Sequence, residues 1–170
     1  MHTNRLDVSF FIVGTLVLLP SVSVLAQPVP TRGVQDHTIL FVCEHGSAKS
    51  IIAAAQFNDL AARTGSPYRA IARGLHPDRE IPQYVKSGLR AQRLDIRGWQ
   101  PNQFIETDAM TAERVITLGC ALPRSKAFAA DKLRDWDVPS PIENYQNASR
   151  LILERVALLL KELAAKQTLQ

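Results

Sequence analysis

Thr38-Ile39-Leu40-Phe41-Val42-Cys43-Glu44-His45-Gly46-Ser47-Ala48-Lys49-Ser50-Ile51 is the stretch on which the fold of this chain turns. Its first five residues form a continuous apolar run, the composition of a parallel strand buried on both faces. A short polar loop follows, Cys43 to Lys49. A helical pattern opens at Ser50, with Ile51, Ile52, Ala55, Leu60 and Ala61 near one face and Thr64-Gly65 as its stop. A strand, a tight Gly/Ser loop and a helix start in succession make an anion cradle. The N–H groups of Glu44, His45, Gly46, Ser47, Ala48, Lys49 and Ser50 are expected to turn inward, and the helix N-terminus adds positive potential. The same field favours a thiolate at Cys43. Lys49 is expected to return over the loop as a point charge, and Ser50 either to hydrogen-bond the thiolate or to cap the helix.

Outward from this core the chain alternates strands and helices. Tyr68 to Ala72 reads as a second strand, and Arg73-Gly74 and His76-Pro77-Asp78 as loop. Ile81 to Gln92 reads as a helix, Trp99 to Asn102 as loop and Thr107 to Ala112 as a short helix. Arg114 to Leu118 reads as a third buried strand ending at Gly119-Cys120. Asp135 to Val138 reads as a short fourth strand, and Pro139-Ser140-Pro141 as a break. The last helix is expected from about Asn144 to Ala165, with Ile152, Val156, Leu159, Leu160 and Leu163 as its core stripe. The pattern predicts an α/β three-layer sandwich with a four-stranded, mostly parallel sheet. Ligands in such folds sit at the carboxyl ends of the strands, where both Cys43 and Cys120 fall.

The chain has 170 residues, enough for one domain with a proper core and too few for two. The net charge is +4, with Lys and Arg scattered rather than in runs, which argues against nucleic acid as a partner and suits attraction of a small anion. The first residues read differently. Phe10 to Ala26 is apolar or small, is broken by Pro20, and ends in Val24-Leu25-Ala26, so residues 1–26 are expected to be a signal peptide. Residues 27–36 are a Pro/Gly-bearing linker and 37–170 the domain. The protein is then exported, periplasmic or secreted, and would meet a membrane only through an uncleaved signal segment.

Cys43 and Cys120 are the two cysteines. Three readings fit Cys120: core packing, a resolving thiol, or the disulfide partner of Cys43 in an oxidising compartment. His45 near Cys43, with His37 and Cys120, matches no zinc spacing, and neither a metal nor another cofactor is expected.

The loop resembles the signature of low-molecular-weight protein tyrosine phosphatases and the related thioredoxin-coupled arsenate reductases, which is Cys, five residues, Arg, Ser. The resemblance runs from about Thr38 to the last helix. Val115 to Cys120 looks like the arsenate reductase strand that ends in a second redox cysteine. Trp136 to Pro141 looks like the segment that carries the family's general acid. The resemblance implies that Cys43 is the nucleophile and that the loop holds a phosphoryl or arsenate group. It also implies that Cys120 resolves the intermediate if the chemistry is reductive, with a thiol reductant as partner.

Three departures qualify this. The family's Arg is Lys49, which keeps the charge without the planar fork. The loop Asn is Gly46, which accepts a left-handed backbone without offering side-chain hydrogen bonds. The acid Asp is Ser140, leaving Asp137 or Glu143 to supply a proton. The expected activity is Cys-dependent hydrolysis of phosphate monoesters such as phosphotyrosine. The alternatives are an arsenate reductase-like thiol enzyme and a non-catalytic oxyanion-binding or redox-sensing protein of the same fold.

Overall fold

The computed structural model describes residues 37–123 and 130–168. The segments read as signal peptide and linker lie outside them. Eight main elements follow in chain order: β1 (His37–Cys43), α1 (Lys49–Arg63), β2 (Tyr68–Gly74), α2 (Gln83–Ala91), α3 (Glu106–Thr111), β3 (Arg114–Thr117), β4 (Leu133–Asp135) and α4 (Tyr145–Thr168). The strands form one sheet in the order β2-β1-β3-β4, and every pairing is parallel.

β1 is central because both of its faces are apolar. Ile39, Phe41 and Cys43 face one core, with α1, α2 and α4 over it, while Leu40 and Val42 face a second, smaller core closed by Ala109 and Ala112 of the α3 region. Two buried faces leave no register but one, since a slip of one residue would exchange them. Phe41 is fully buried, with its ring 6.0 Å from that of Phe57 and 5.5 Å from that of Trp136. Truncation of such a side chain to Ala costs about 3–5 kcal/mol. The stripe Ile152, Val156, Leu159, Leu160 and Leu163 of α4 is buried throughout.

The fourth strand lies two residues earlier than the sequence suggests. Leu133, Arg134 and Asp135 pair with Val115, Ile116 and Thr117. Trp136 adds one more ladder bond, its N–H donating to the Thr117 carbonyl at 2.8 Å, but its ring turns into the core against Phe41. The hydrophobicity of Trp136 and Val138 therefore marks packing after the strand. The strand itself is an exposed edge with no alternation to read.

The chain runs from β1 to β2 on one side and then to β3 on the other. The strand order thus reverses beside the carboxyl end of β1, the usual place for a ligand crevice in open α/β sheets. The Cys43 loop leaves the sheet at that point.

Candidate active site

Cys43 is the last residue of β1 and Lys49 the first of α1, so five residues must turn the chain from the sheet into the helix. Gly46 makes the turn with φ of +59°. A Cβ there would lie 2.7 Å from the Gly74 backbone nitrogen, and a Cβ on Gly74 would lie 2.5 Å from the Gly46 nitrogen. Two glycines facing each other therefore let the loop lie directly on the end of β2.

That contact polarises the loop. The carbonyls of Cys43, Glu44 and His45 accept hydrogen bonds from the N–H groups of Leu75, His76 and Asp78, at 3.2, 2.8 and 3.0 Å. Among the described residues, the amides of residues 44–48 donate to no backbone carbonyl. With three of its carbonyls satisfied by the residues that follow β2 and the amides of residues 44–48 without backbone acceptors, the loop leaves its donors unspent, which is what an anion nest requires. The N-terminus of α1, 15 residues long, adds its partial positive charge.

The Cys43 sulfur lines a cleft of about 470 Å³ formed with Glu44, His45, Ser47, Ala48, Lys49, Asp78, Pro82, Tyr84, Leu118, Gly119 and Ser140–Ile142. Its thiol donates to the Ser50 hydroxyl at 3.2 Å. Once the thiol is ionised, the hydroxyl can donate the hydrogen bond to the sulfur instead. Ser50 is fully buried, and the N-cap of α1 is Ala48, with no side-chain cap. Of the two roles open to Ser50, thiol partner and helix cap, the geometry has the first.

Lys49 lines the cleft, but its ammonium is already engaged. It donates to the Val138 carbonyl at 2.8 Å and lies against Gly119, where an added Cβ would come within 3.2 Å of it. It ties the Cys43 loop to the segment that carries Ser140. Gly46 supports the loop from behind and does not line the cleft.

The acids fall differently from expectation. Asp137 and Glu143 are exposed and line no part of the cleft, although Ser140 does. Two carboxylates line the cleft, Glu44 and Asp78, and Asp78 accepts from the Ser47 hydroxyl at 2.5 Å and lies 3.6 Å from His45 Nδ1. Glu44 pairs with His76 Nδ1 at 2.7 Å. Asp78 was readable only as loop. The signal that could have found it is parallel register, because Cys43 pairs with Gly74 and residues 75–78 must then run beside residues 44–47. Tyr84 is a second residue that spacing does not reveal. It walls the cleft, and its phenol is raised by burial and then by the negative charges of Asp78 and Cys43.

Cys120 stands apart. In this structure both cysteines are free, Cys43 buried and Cys120 half-buried. Cys120 lines a separate cleft with Thr117, Leu122 and Asp135, and its thiol donates to the Val42 carbonyl at 3.6 Å. Burial pushes it up to about 11, partly opposed by a hydrogen bond with the Leu118 backbone, and the charges of Cys43, Glu44 and Asp135 add to the rise. Among the described residues, no group of three or more His, Cys, Asp or Glu side chains could hold a metal, and no helix is long and apolar enough to cross a membrane.

No curated protein matches the chain. Solved structures do, at identities that speak to fold alone. An arsenate reductase in a phosphate-binding state is 21% identical and aligns over 74% of this chain and 97% of its own, with a TM-score of 0.64. The low molecular weight protein tyrosine phosphatase of T. tengcongensis is 19% identical over 75% and 99%, with a TM-score of 0.65. The YwlE arginine phosphatase of Geobacillus stearothermophilus is 19% identical over 78% and 96%, with a TM-score of 0.62. The family model for low molecular weight phosphotyrosine protein phosphatases matches residues 38–170, and the chain belongs to that family.

Proposed function

We propose that this protein hydrolyses phosphate monoesters through a phosphocysteine at Cys43. The observation that carries the reading is the polarised loop: a sulfur lining a cleft, 3.2 Å from a buried hydroxyl, at the start of a loop whose five amides have no backbone acceptor. The thiolate attacks phosphorus in line with the ester oxygen. The S–P bond forms as the P–O bond breaks, and the ester oxygen departs with a proton. Water then displaces sulfur, releasing inorganic phosphate and restoring the thiolate. The loop amides hold the equatorial oxygens as their charge shifts, and Ser50 steadies the sulfur. Asp78, not Asp137, is the carboxyl group disposed to give the departing oxygen its proton and to take one from the water. General acid catalysis contributes about 10²–10⁴-fold, so the position of this group decides which esters turn over.

A second reading is favoured by Lys49. Its ammonium spends a donor on Val138 and its chain lacks the fork that grips a phosphoryl group, as suits a protein that binds an oxyanion without turning it over. The reductase reading has less support, because Cys120 lies in another cleft with a thiol raised to about 11 and attack by a thiol needs the thiolate. Export through a signal peptide at residues 1–26, with action in the periplasm or outside the cell, belongs to the same proposal.

Hydrolysis of an aryl phosphate by the reduced protein, compared with Cys43→Ser, tests it. Turnover lost in the variant is the expected result. Equal turnover in both removes the phosphatase reading, and thermal stabilisation by phosphate without turnover leaves the binding one.

A further inference from the structure

A third cleft lies on the other side of α2. Tyr84 of that helix faces the Cys43 cleft, whereas Lys86 and Arg90, about 200° and 240° further round, face away from it. With Arg93, Arg97, Leu94 and Trp99 they border a concavity of about 580 Å³. Lys86 is 3.3 Å from Glu80, and Arg97 is held by Asp95 at 2.6 Å. Among the described residues, the Arg90 and Arg93 guanidiniums have no ion-pair partner, and they reach solvent at the lip.

Arg93 occupies a position that favours another residue. α2 ends in a Schellman motif: the Leu94 N–H donates to the Leu89 carbonyl at 2.9 Å and the Arg93 N–H to the Arg90 carbonyl at 2.9 Å. The residue between must be left-handed, and Arg93 has φ of 61°, unlike any other described non-glycine residue. Glycine is the usual choice there, because a Cβ in that conformation is strained. An arginine kept against its backbone preference, beside a second arginine without a partner, indicates a use for its head group.

We propose that this cleft receives an acidic peptide segment of a partner protein, with carboxylates on Arg90 and Arg93 and an apolar side chain against Trp99 and Leu94. Asp95 shows the pairing on a small scale, since its Oδ1 accepts from Arg97 Nε at 3.0 Å and its Oδ2 from Arg97 Nη2 at 2.6 Å, the bidentate geometry that arginine offers a carboxylate. Concavity favours a peptide over a membrane. Trp99 and Leu94 are half-buried within the cleft, and the large apolar side chains that stand exposed among the described residues, such as Ile142 and Leu158, lie elsewhere. The cleft lies behind α2 and needs no chemistry at Cys43, so the proposal stands independently of phosphate hydrolysis.

Titration of the full-length protein with a ten-residue peptide of glutamates around a central leucine, followed by tryptophan fluorescence with Trp99→Phe as the control for the Trp136 signal, tests it. The expected result is saturable binding that weakens as salt rises. Binding falls about tenfold in the pair Arg90→Gln, Arg93→Gly, the loss of two carboxylate contacts, and is absent for the same peptide with glutamine for glutamate. Arg93→Gly relieves the left-handed strain, so its melting temperature equals or exceeds that of the wild type, and its hydrolysis of a small aryl phosphate is unchanged. Equal peptide affinity in wild type and the double variant overturns the proposal. Preferential binding of anionic vesicles or of oligo-dT overturns it too, and assigns the cations to a membrane or to nucleic acid.

Discussion

The Lys49 ammonium donates to the carbonyl of Val138 at 2.8 Å, joining the first turn of α1 to the segment that runs into Ser140. One side chain therefore has two duties, as the cation beside the Cys43 loop and as the clasp on the opposite wall of its cleft.

Lys49→Met separates a charge effect from a packing effect. The variant loses a charge-assisted hydrogen bond, worth about 1.5–3 kcal/mol, and the cleft loses its lysine. Phosphate-induced thermal stabilisation is expected to shrink at least tenfold in apparent affinity, with a modest fall in melting temperature from the released 138–141 segment. An unchanged phosphate response in calorimetry would show that the amides alone bind the anion.

Gly46→Asn restores the residue of the family signature and is nonetheless expected to damage this protein. Asn tolerates a left-handed φ, but its Cβ would lie 2.7 and 2.8 Å from backbone atoms of Gly74, which cannot rotate away. Either β2 or the loop must move, at about 1–3 kcal/mol for the overpacking and with loss of the amide alignment. Urea unfolding together with turnover measures both. A variant as stable and active as the wild type would mean that the two backbones are less closely apposed.

The sequence revealed the parts that depend on composition and missed those that depend on which strands are neighbours. β1, α1 and the stripe of α4 announce themselves because burial on one or two faces dictates their apolar pattern. β4 does not, since Leu133, Arg134 and Asp135 are all exposed and the apolar signal nearby belongs to Trp136 and Val138. Spacing sets Cys43, Lys49 and Ser50 at the two ends of one loop, but it does not reveal the Val138 carbonyl that takes the ammonium. Asp137 is close to Ser140 in sequence and off the cleft in space. Asp78 is distant in sequence and on the cleft, because β2 lies beside β1.

That difference yields a leaving-group test. If Asp78 hands a proton to the departing oxygen, Asp78→Asn lowers kcat at least tenfold more for an alkyl phosphate than for an activated aryl phosphate, whose leaving group needs no acid. Ser47→Ala, which removes the 2.5 Å hydrogen bond to Asp78, shows the same trend more weakly. Asp137→Asn is expected to be silent. A uniform loss across esters for Asp78→Asn would assign the carboxylate to loop geometry instead.

Cys120 gives stability a pH dependence of fixed sign. Its thiol is raised in the fold from an ordinary 9.0 to about 11, first by burial. An acid whose folded pKa lies above its unfolded one keeps its proton longer in the native chain. Over the window from pH 9 to about 11 the unfolded chain binds fewer protons, so stability falls as pH rises. Below that window the group contributes no slope. Tyr68, Tyr84 and Tyr145 are also raised by burial and steepen the upper end, so the informative quantity is the difference between wild type and Cys120→Ala. Melting temperatures from pH 8 to 11 are expected to fall less in the variant, with the two curves parallel below pH 9. In the Cys43→Ser background, alkylation of Cys120 should be slow at neutral pH and rise across the same window. Rapid alkylation at pH 7 would show a thiol already ionised and open to exchange, and would return Cys120 to the role of resolving cysteine.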